Sequence, residues 1–160
     1  AKTVLRILFS LYATWFTWHW QVDVKNAFLK GDFPQPPKRS KVLYMKQPLG
    51  FDDGTGRLCR ILRSIYGLRE AAKIWNQLLT KWLTELGFKR SIADFGLYIK
   101  HGIDGITAVF CHVDDMSIHA TSKHLGEWLK SEIMKRTKVK VMEGNQILGC
   151  RITKSKGHVT

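Results

Sequence analysis

The chain has 160 residues, of which 26 are Lys or Arg and 13 are Asp or Glu, so its formal net charge is +13. Hydrophobic residues make up 44% of the sequence, which is enough for a packed core and excludes a disordered chain. Three widely spaced cysteines without a CxxC pair argue against a zinc module or a disulfide scaffold, and no stretch reaches the roughly 20 apolar residues of a membrane helix. The charge favours a polyanionic partner, most commonly nucleic acid, with a solvated basic surface as the alternative. Because residue 1 is Ala rather than Met, we expect a segment of a longer protein.

Hydrophobic spacing in the first half of the chain predicts a helix followed by a strand. Apolar residues recur every three or four positions, as on one helix face, at Val4, Ile7, Leu8, Leu11, Tyr12 and Trp15. From Trp18 to Val24 the period becomes two, which predicts a strand with Asp23 on its more polar face. The Pro- and Gly-containing segment Lys30–Ser40 predicts a loop, followed by short strands at Val42–Met45 and Arg57–Arg63.

The second half predicts two helices and several strands. A broad apolar stripe predicts a helix over residues 71–86, ended by Gly87, and a second amphipathic helix contains Leu125, Trp128, Leu129 and Ile133. Strands are expected at Phe95–Lys100, Ile106–Val113, Met116–Ala120, Val139–Met142 and Ile147–Thr153. The first three of these predict an antiparallel meander. The predicted fold class is therefore α+β, an antiparallel sheet with two or three helices on one face.

The adjacent carboxylates Asp114 and Asp115 follow one predicted strand and precede another. At the tip of a hairpin both side chains can project into the same space, where their negative charges repel unless a cation compensates them. Mg²⁺ is the expected cation, because it prefers carboxylate oxygens and is commonly shared with substrate phosphates. A solvated Asp-Asp turn is the alternative. Asp23, from a separate strand, would complete the three carboxylates of a two-metal site if the two strands adjoin.

Five motifs, in the same order along the chain, resemble those of copia-type long-terminal-repeat retrotransposon reverse transcriptases. They are QVDVKNAFLKG at 21–31, YMKQPLGF at 44–51, SIYGLREAAKIW at 64–75, HVDDM at 112–116 and ILGC at 147–150. Together they cover nearly the whole chain. The resemblance implies a right-hand polymerase fold, with residues 1–160 supplying the palm and part of the fingers of a reverse transcriptase domain, without the thumb or RNase H.

The resemblance also implies roles for individual residues. Asp23, Asp114 and Asp115 would be catalytic ligands of two Mg²⁺ ions, with Mn²⁺ as an alternative ion. Phe28 falls where the family places an aromatic steric gate that favours deoxyribonucleotides, although its residue type alone suggests a core aromatic. Tyr66 and Gly67 would shape the nucleotide pocket, with a simple turn glycine as the alternative for Gly67. Leu148 and Gly149 would contact the primer end, and a buried strand position explains Leu148 equally well.

The partners implied are an RNA template, a DNA or tRNA primer, deoxynucleoside triphosphates, and the integrase and RNase H of a Pol polyprotein, in cytoplasmic virus-like particles. The chain departs from the family pattern at His112, Glu70 and Ala72, and at Arg136-Thr137-Lys138. These departures favour the alternative hypothesis, a catalytically inactive nucleic-acid-binding remnant. A nuclease with the same two-metal chemistry is a third hypothesis. Lys135 or Lys138 would protonate the leaving pyrophosphate or, alternatively, only bind phosphate.

Overall fold

The computed structural model describes residues 2–35 and 42–142 and, beyond them, the backbone of four two-residue strands. The helices are α1 (Lys2–Thr14), α2 (Ala71–Glu85) and α3 (Lys123–Arg136), and Ala27–Lys30 forms a 3₁₀ turn. The strands are β1 (Trp18–Val24), β2 (Tyr44–Met45), β3 (Cys59–Arg60), β4 (Lys89–Arg90), β5 (Leu97–Gly102), β6 (Gly105–His112), β7 (Asp115–Ala120), β8 (Val139–Val141), β9 (Gln146–Ile147), β10 (Cys150–Arg151), β11 (Lys154–Ser155) and β12 (His158–Val159).

The chain divides into two compact units. The first consists of residues 1–25 and 79–160, and the second of residues 26–78. The last turns of α2 therefore belong to the first unit and its beginning to the second. No helix among the described residues is both long enough and apolar enough to cross a membrane.

The first unit contains a six-stranded sheet in the order β4-β5-β6-β7-β1-β8. Its neighbouring strands are all antiparallel. The strands β5, β6 and β7 pair in succession, so the predicted meander is confirmed. Strand β1, early in the chain, pairs with β7 on one side and β8 on the other. With its helices this sheet makes the fold α+β, as predicted.

Helices cover both faces of this sheet, rather than one face as predicted. The Phe9 ring of α1 lies 5.1 Å from the ring centroids of both His19 and His119. On the opposite face, α3 packs so closely that a side chain at Gly126 would overlap the ring of Trp18. Because Trp18 and His19 are adjacent in β1, their side chains point to opposite faces. The face expected to be the more polar one is thus also buried.

The buried stripe of α1 overlaps the predicted one but does not coincide with it. The helix buries Leu5, Leu8 and Phe9, whereas Ile7 and Trp15 are 54% and 64% exposed. The periodicity predicted the helix and much of its buried side correctly, because Leu8 is buried and Val4, Leu11 and Tyr12 pack against the core. A helix with apolar residues on more than one side offers alternative faces, and packing against β6 selected one of them.

The other predicted helices are confirmed with small shifts of their ends. Helix α2 ends at Glu85, and Gly87 adopts a φ of +87°, the left-handed conformation that commonly ends a helix. Helix α3 begins after Ser122, whose side chain accepts a hydrogen bond from the backbone N–H of Leu125. In the first unit, the Tyr98 hydroxyl and Thr80 Oγ1 are 2.8 Å apart, which joins the end of α2 to the sheet.

The second unit is built around a small β-ribbon. Strands β2 and β3 are antiparallel, with Tyr44 opposite Arg60 and Met45 opposite Cys59. The strand expected over residues 57–63 is therefore much shorter than predicted. The same segment also forms an isolated β-bridge, in which Arg63 pairs with Asp32.

The last predicted strand is divided into shorter ones. In place of a strand over residues 147–153, β9 pairs with β10, and β11 pairs with β12. The predicted turn at residues 143–145 lies outside the described residues.

Candidate active site

Strand β1 places Asp23 next to Asp115 on the sheet. The two residues are direct partners in the antiparallel register of β1 and β7. Side chains of directly opposed residues project from the same face, with their Cβ atoms roughly 5 Å apart. Both side chains are partly buried. The sequence alone could not show that these two strands adjoin. In the structure they are neighbours, and two of the three predicted carboxylates lie opposite each other on them.

The third carboxylate, Asp114, lies in the hairpin turn just before β7. His112 and Asp115 are the last paired residues of β6 and β7, so only Val113 and Asp114 form the turn. Val113 has a φ of +58°, which is unusual for a β-branched residue and indicates a tightly constrained turn. The N–H of Val24 donates a hydrogen bond of 3.0 Å to the carbonyl oxygen of Asp114. This bond fixes the turn against the end of the strand that carries Asp23.

The three carboxylates interact electrostatically. The pKa of Asp115 is raised above its ordinary value, first by partial burial and then by repulsion from the negative charges of Asp114 and Asp23. The imidazole of His112 acts in the opposite direction. A cation bound near these oxygens would relieve the repulsion, and carboxylate oxygens are the donors that Mg²⁺ prefers.

The donor types therefore fit Mg²⁺ or Mn²⁺, but the side chains are not arranged as a finished metal site. Within residues 2–35 and 42–142, no three or more His, Cys, Asp or Glu side chains lie close enough together to hold an ion. The sheet brings Asp23 and Asp115 to one end of one face, and Asp114 lies in the turn beside them.

Two further residues share this row of the sheet. Lys140 is opposite Asp23 in β8, and His112 is opposite Asp115 in β6. The row across the face is therefore Lys140, Asp23, Asp115 and His112, in which a basic side chain lies beside each carboxylate. Lys140 is not among the site residues predicted from the sequence. Its alternation with Val139 and Val141 could have placed it on the polar face of a strand, but not beside Asp23.

The proposed nucleotide-pocket residues lie in the second unit. The rings of Phe28 and Tyr66 contact each other, with centroids 4.7 Å apart and planes tilted by 59°. Phe28 is partly buried, and Tyr66 is 56% exposed. Gly67 has a φ of +91° in a turn where the N–H of Leu68 donates a hydrogen bond to the carbonyl oxygen of Ile65. Among the described residues other than its chain neighbours, no atom lies within 4 Å of a Cβ added at Gly67. Its conformation therefore accounts for glycine at this position without a ligand.

The last predicted site residues are the two lysines proposed to act on the pyrophosphate and the two residues proposed to contact the primer. Lys135 forms an ion pair with Glu132 in α3, so its ammonium already has a carboxylate partner. Lys138 is exposed, and its carbonyl accepts a 3.1 Å hydrogen bond from the N–H of Lys25. Leu148 and Gly149 lie outside the described residues.

Comparison with known proteins identifies similar sequences. Residues 2–160 match the family model described as reverse transcriptase (RNA-dependent DNA polymerase). The chain is 29% identical over 158 residues to the retrovirus-related Pol polyprotein from transposon TNT 1-94 of Nicotiana tabacum, covering 96% of this chain and 11% of that protein. It is 33% identical over 125 residues to the corresponding polyprotein from transposon RE2 of Arabidopsis thaliana, covering 77% of this chain and 8% of that protein. A transposon Ty5-1 protein of Saccharomyces cerevisiae is 29% identical over 137 residues, which are 84% of this chain and 42% of that protein.

These matches confirm the resemblance to copia-type retrotransposon reverse transcriptases inferred from the five motifs. The chain spans less than half the length of each of these relatives.

Proposed function

Because the chain belongs to the reverse transcriptase (RNA-dependent DNA polymerase) family, we propose that it supplies the catalytic carboxylates of an RNA-directed DNA polymerase. The observation that carries this proposal is the register of β1 and β7, which makes Asp23 and Asp115 direct partners beside the turn that contains Asp114. A polymerase needs such oxygen ligands at one point to align a primer hydroxyl and a triphosphate. Residues 1–160 would form part of one polymerase domain, the palm with part of the fingers.

Within this proposal, Asp23, Asp114 and Asp115 hold two divalent cations. Mg²⁺ bound there would favour ionisation of the primer 3′-hydroxyl and neutralise charge on the triphosphate and its leaving group. The protein's own contribution is to fix the carboxylates. The ladder of β1 and β7 sets the separation of Asp23 and Asp115, and the Val24 to Asp114 hydrogen bond holds the turn. Lys140, opposite Asp23, would add positive charge that attracts the anionic substrate.

Phe28 and Tyr66 would bound the sugar pocket of the incoming nucleotide. Their mutual contact keeps the Phe28 ring in a defined position. As in the aromatic gate that the family resemblance implies, the Phe28 ring would crowd a 2′-hydroxyl and so favour deoxyribonucleotides over ribonucleotides. Leu148 and Gly149 keep their proposed role at the primer end.

The proposed substrates and partners follow from the same family membership. They are an RNA template, a DNA or tRNA primer and deoxynucleoside triphosphates, and we propose integrase and RNase H as partners in a Pol polyprotein, the name that two of the relatives carry. Virus-like particles in the cytoplasm are the proposed location.

Primer extension on an RNA template tests the polymerase proposal. Residues 1–160 would replace the matching segment of the tobacco Pol polyprotein, and Mg²⁺-dependent DNA synthesis is the expected result. Asp114→Asn and Asp115→Asn should each abolish synthesis, because an amide loses the charge that holds the cation. Asp104→Asn, at the exposed β5–β6 turn, is the matched control and should retain it. Full synthesis by both site variants would exclude the assigned roles, and a chimera that binds RNA without any synthesis would favour the inactive remnant.

A further inference from the structure

One face of the β2–β3 ribbon exposes large apolar side chains on both sides of an arginine. Leu58 and Leu62 are 58% and 60% exposed and flank Arg60 at alternate positions, whereas the intervening Ile61 is 7% exposed. Tyr44 is 56% exposed and lies directly opposite Arg60. We refer to Tyr44, Leu58, Arg60 and Leu62 as the outward ribbon face. A solvated sheet face normally carries polar residues at such positions, so these side chains are suited to contact a partner.

Arg60 is held in place without losing its charge. Its Nε and Nη2 donate hydrogen bonds of 2.9 and 2.6 Å to Gln35 Oε1, which belongs to a neutral amide. The Nε2 of Gln35 in turn donates to the carbonyl oxygens of Phe33 and Ile61, at 3.0 and 2.9 Å. The guanidinium is thus fixed in advance, which lowers the entropy cost of binding an anion. Arg57, in contrast, is neutralised by Asp53 at 2.7 Å.

A cavity of about 230 Å³ adjoins this face. It shares Leu58 with the outward ribbon face and is otherwise lined by Lys46, Gln47, Asp52, Gly56 and Arg57. The loop that encloses it is ordered by Gln47, whose amide exchanges two hydrogen bonds with Asp53, at 2.9 and 2.7 Å. Phe51, in the same loop, is 81% exposed. The segment therefore combines exposed rings, aliphatic side chains and cations on an ordered loop and ribbon.

We propose that the outward ribbon face and the adjoining cavity bind single-stranded RNA. Proteins that bind single strands combine cations along the backbone with side chains on which bases stack. Tyr44 provides a ring for stacking, Leu58 and Leu62 provide apolar contacts for bases and sugars, and Arg60 and Lys46 face the phosphates. The formal net charge of +13 favours a polyanion over an ordinary protein partner. The choice of RNA rests on the proposed function, whereas the single-stranded character rests on the exposed side chains.

Fluorescence anisotropy with a short labelled oligouridine and the whole chain, in EDTA, measures this binding. Tyr44→Ala should weaken binding roughly five- to a hundredfold, the usual effect of removing one stacking ring, and Tyr44→Phe should retain it. Trp15→Ala is the matched control, because Trp15 is 64% exposed directly after α1, in the other unit, and its removal should leave affinity unchanged. Equal affinities of the Tyr44→Ala and Trp15→Ala variants would overturn the proposal. Equally tight, Tyr44-dependent binding of duplex RNA would also overturn it, because paired bases cannot stack on the ring.

Salt dependence tests the role of Arg60. Arg60→Gln should lower the magnitude of the slope of log affinity against log salt by about 0.7, the value for one contact to a single strand. Lys123→Gln removes the same charge from the exposed start of α3, and its slope should stay unchanged. Identical slopes for the two variants would refute the proposed contact between Arg60 and an RNA phosphate.

The binding test is independent of catalysis. The anisotropy measurement contains EDTA and no divalent cation, so it reports binding of oligouridine without DNA synthesis. A chimera that fails to synthesise DNA but shows Tyr44-dependent binding would refute the polymerase proposal alone. Synthesis together with Tyr44-independent binding would refute only the RNA-binding face.

Discussion

The contact between α3 and β1 predicts that an added methyl group will destabilise the protein. Gly126 is buried in α3, and a Cβ atom there would overlap Cδ2 and Cε3 of Trp18 and lie 2.7 Å from Cε2. Carbon atoms in contact prefer separations of about 3.5–4.0 Å, so the ring would have to move back by about 1 Å. The indole Nε1 of Trp18 also bonds Glu127 Oε1 at 3.3 Å, and this bond opposes the movement.

The expected magnitude combines two opposing effects. Replacing Gly by Ala within a helix gains about 1 kcal/mol in helix propensity. Overpacking of a close contact typically costs about 1–3 kcal/mol, and overlap with several ring carbons places this site at the upper end. Gly126→Ala should therefore lower the free energy of unfolding by about 1–2 kcal/mol.

Urea denaturation followed by far-ultraviolet circular dichroism measures this loss. The matched experiment repeats the substitution in a Trp18→Leu background, where the ring is absent. There, Gly126→Ala should become neutral or stabilising by up to about 1 kcal/mol, so that the effect changes sign. A Gly126→Ala protein at least as stable as the unaltered chain would show that Trp18 moves aside freely. The same loss in both backgrounds would show that the cost does not come from Trp18.

Three further predictions concern single side chains. Phe28→Ala should raise ribonucleotide incorporation in primer extension, while Phe28→Tyr keeps a ring and should preserve discrimination; unchanged selectivity of the Ala variant would refute the gate. Burial, followed by the charge of His19, holds the pKa of His119 well below 6.5, so the unfolded chain binds a proton that the folded chain cannot, and stability should fall as pH decreases below about 6.5. Urea midpoints across this range should show a shallower fall for His119→Leu, and an identical fall would contradict the assignment. Tyr98→Phe removes the buried hydroxyl paired with Thr80 and should cost about 1 kcal/mol in urea unfolding, and no loss would show that this bond contributes nothing.

The helices, strands and turns could largely be predicted from the sequence, because local structure depends mainly on residues that are close together in the chain. The change of period at Trp18 predicted β1 with its observed ends, and Gly87 marked the end of α2. The meander of β5, β6 and β7 followed from short turns between alternating segments. The paired Asp114 and Asp115 were expected at a hairpin tip, and the turn at Val113 and Asp114 has this form.

Contacts between distant segments were decided only by the tertiary structure. Periodicity shows which residues share a face but not what covers that face, so the burial of His119 under α1 was not foreseen. The partnership of Asp23 with Asp115 requires β1 to enter the sheet beside β7 in one register, although about 90 residues separate them. Lys140 came to lie opposite Asp23 for the same reason. Register between distant strands is set by the packing of both sheet faces, because a slip of one residue would exchange every buried side chain for an exposed one.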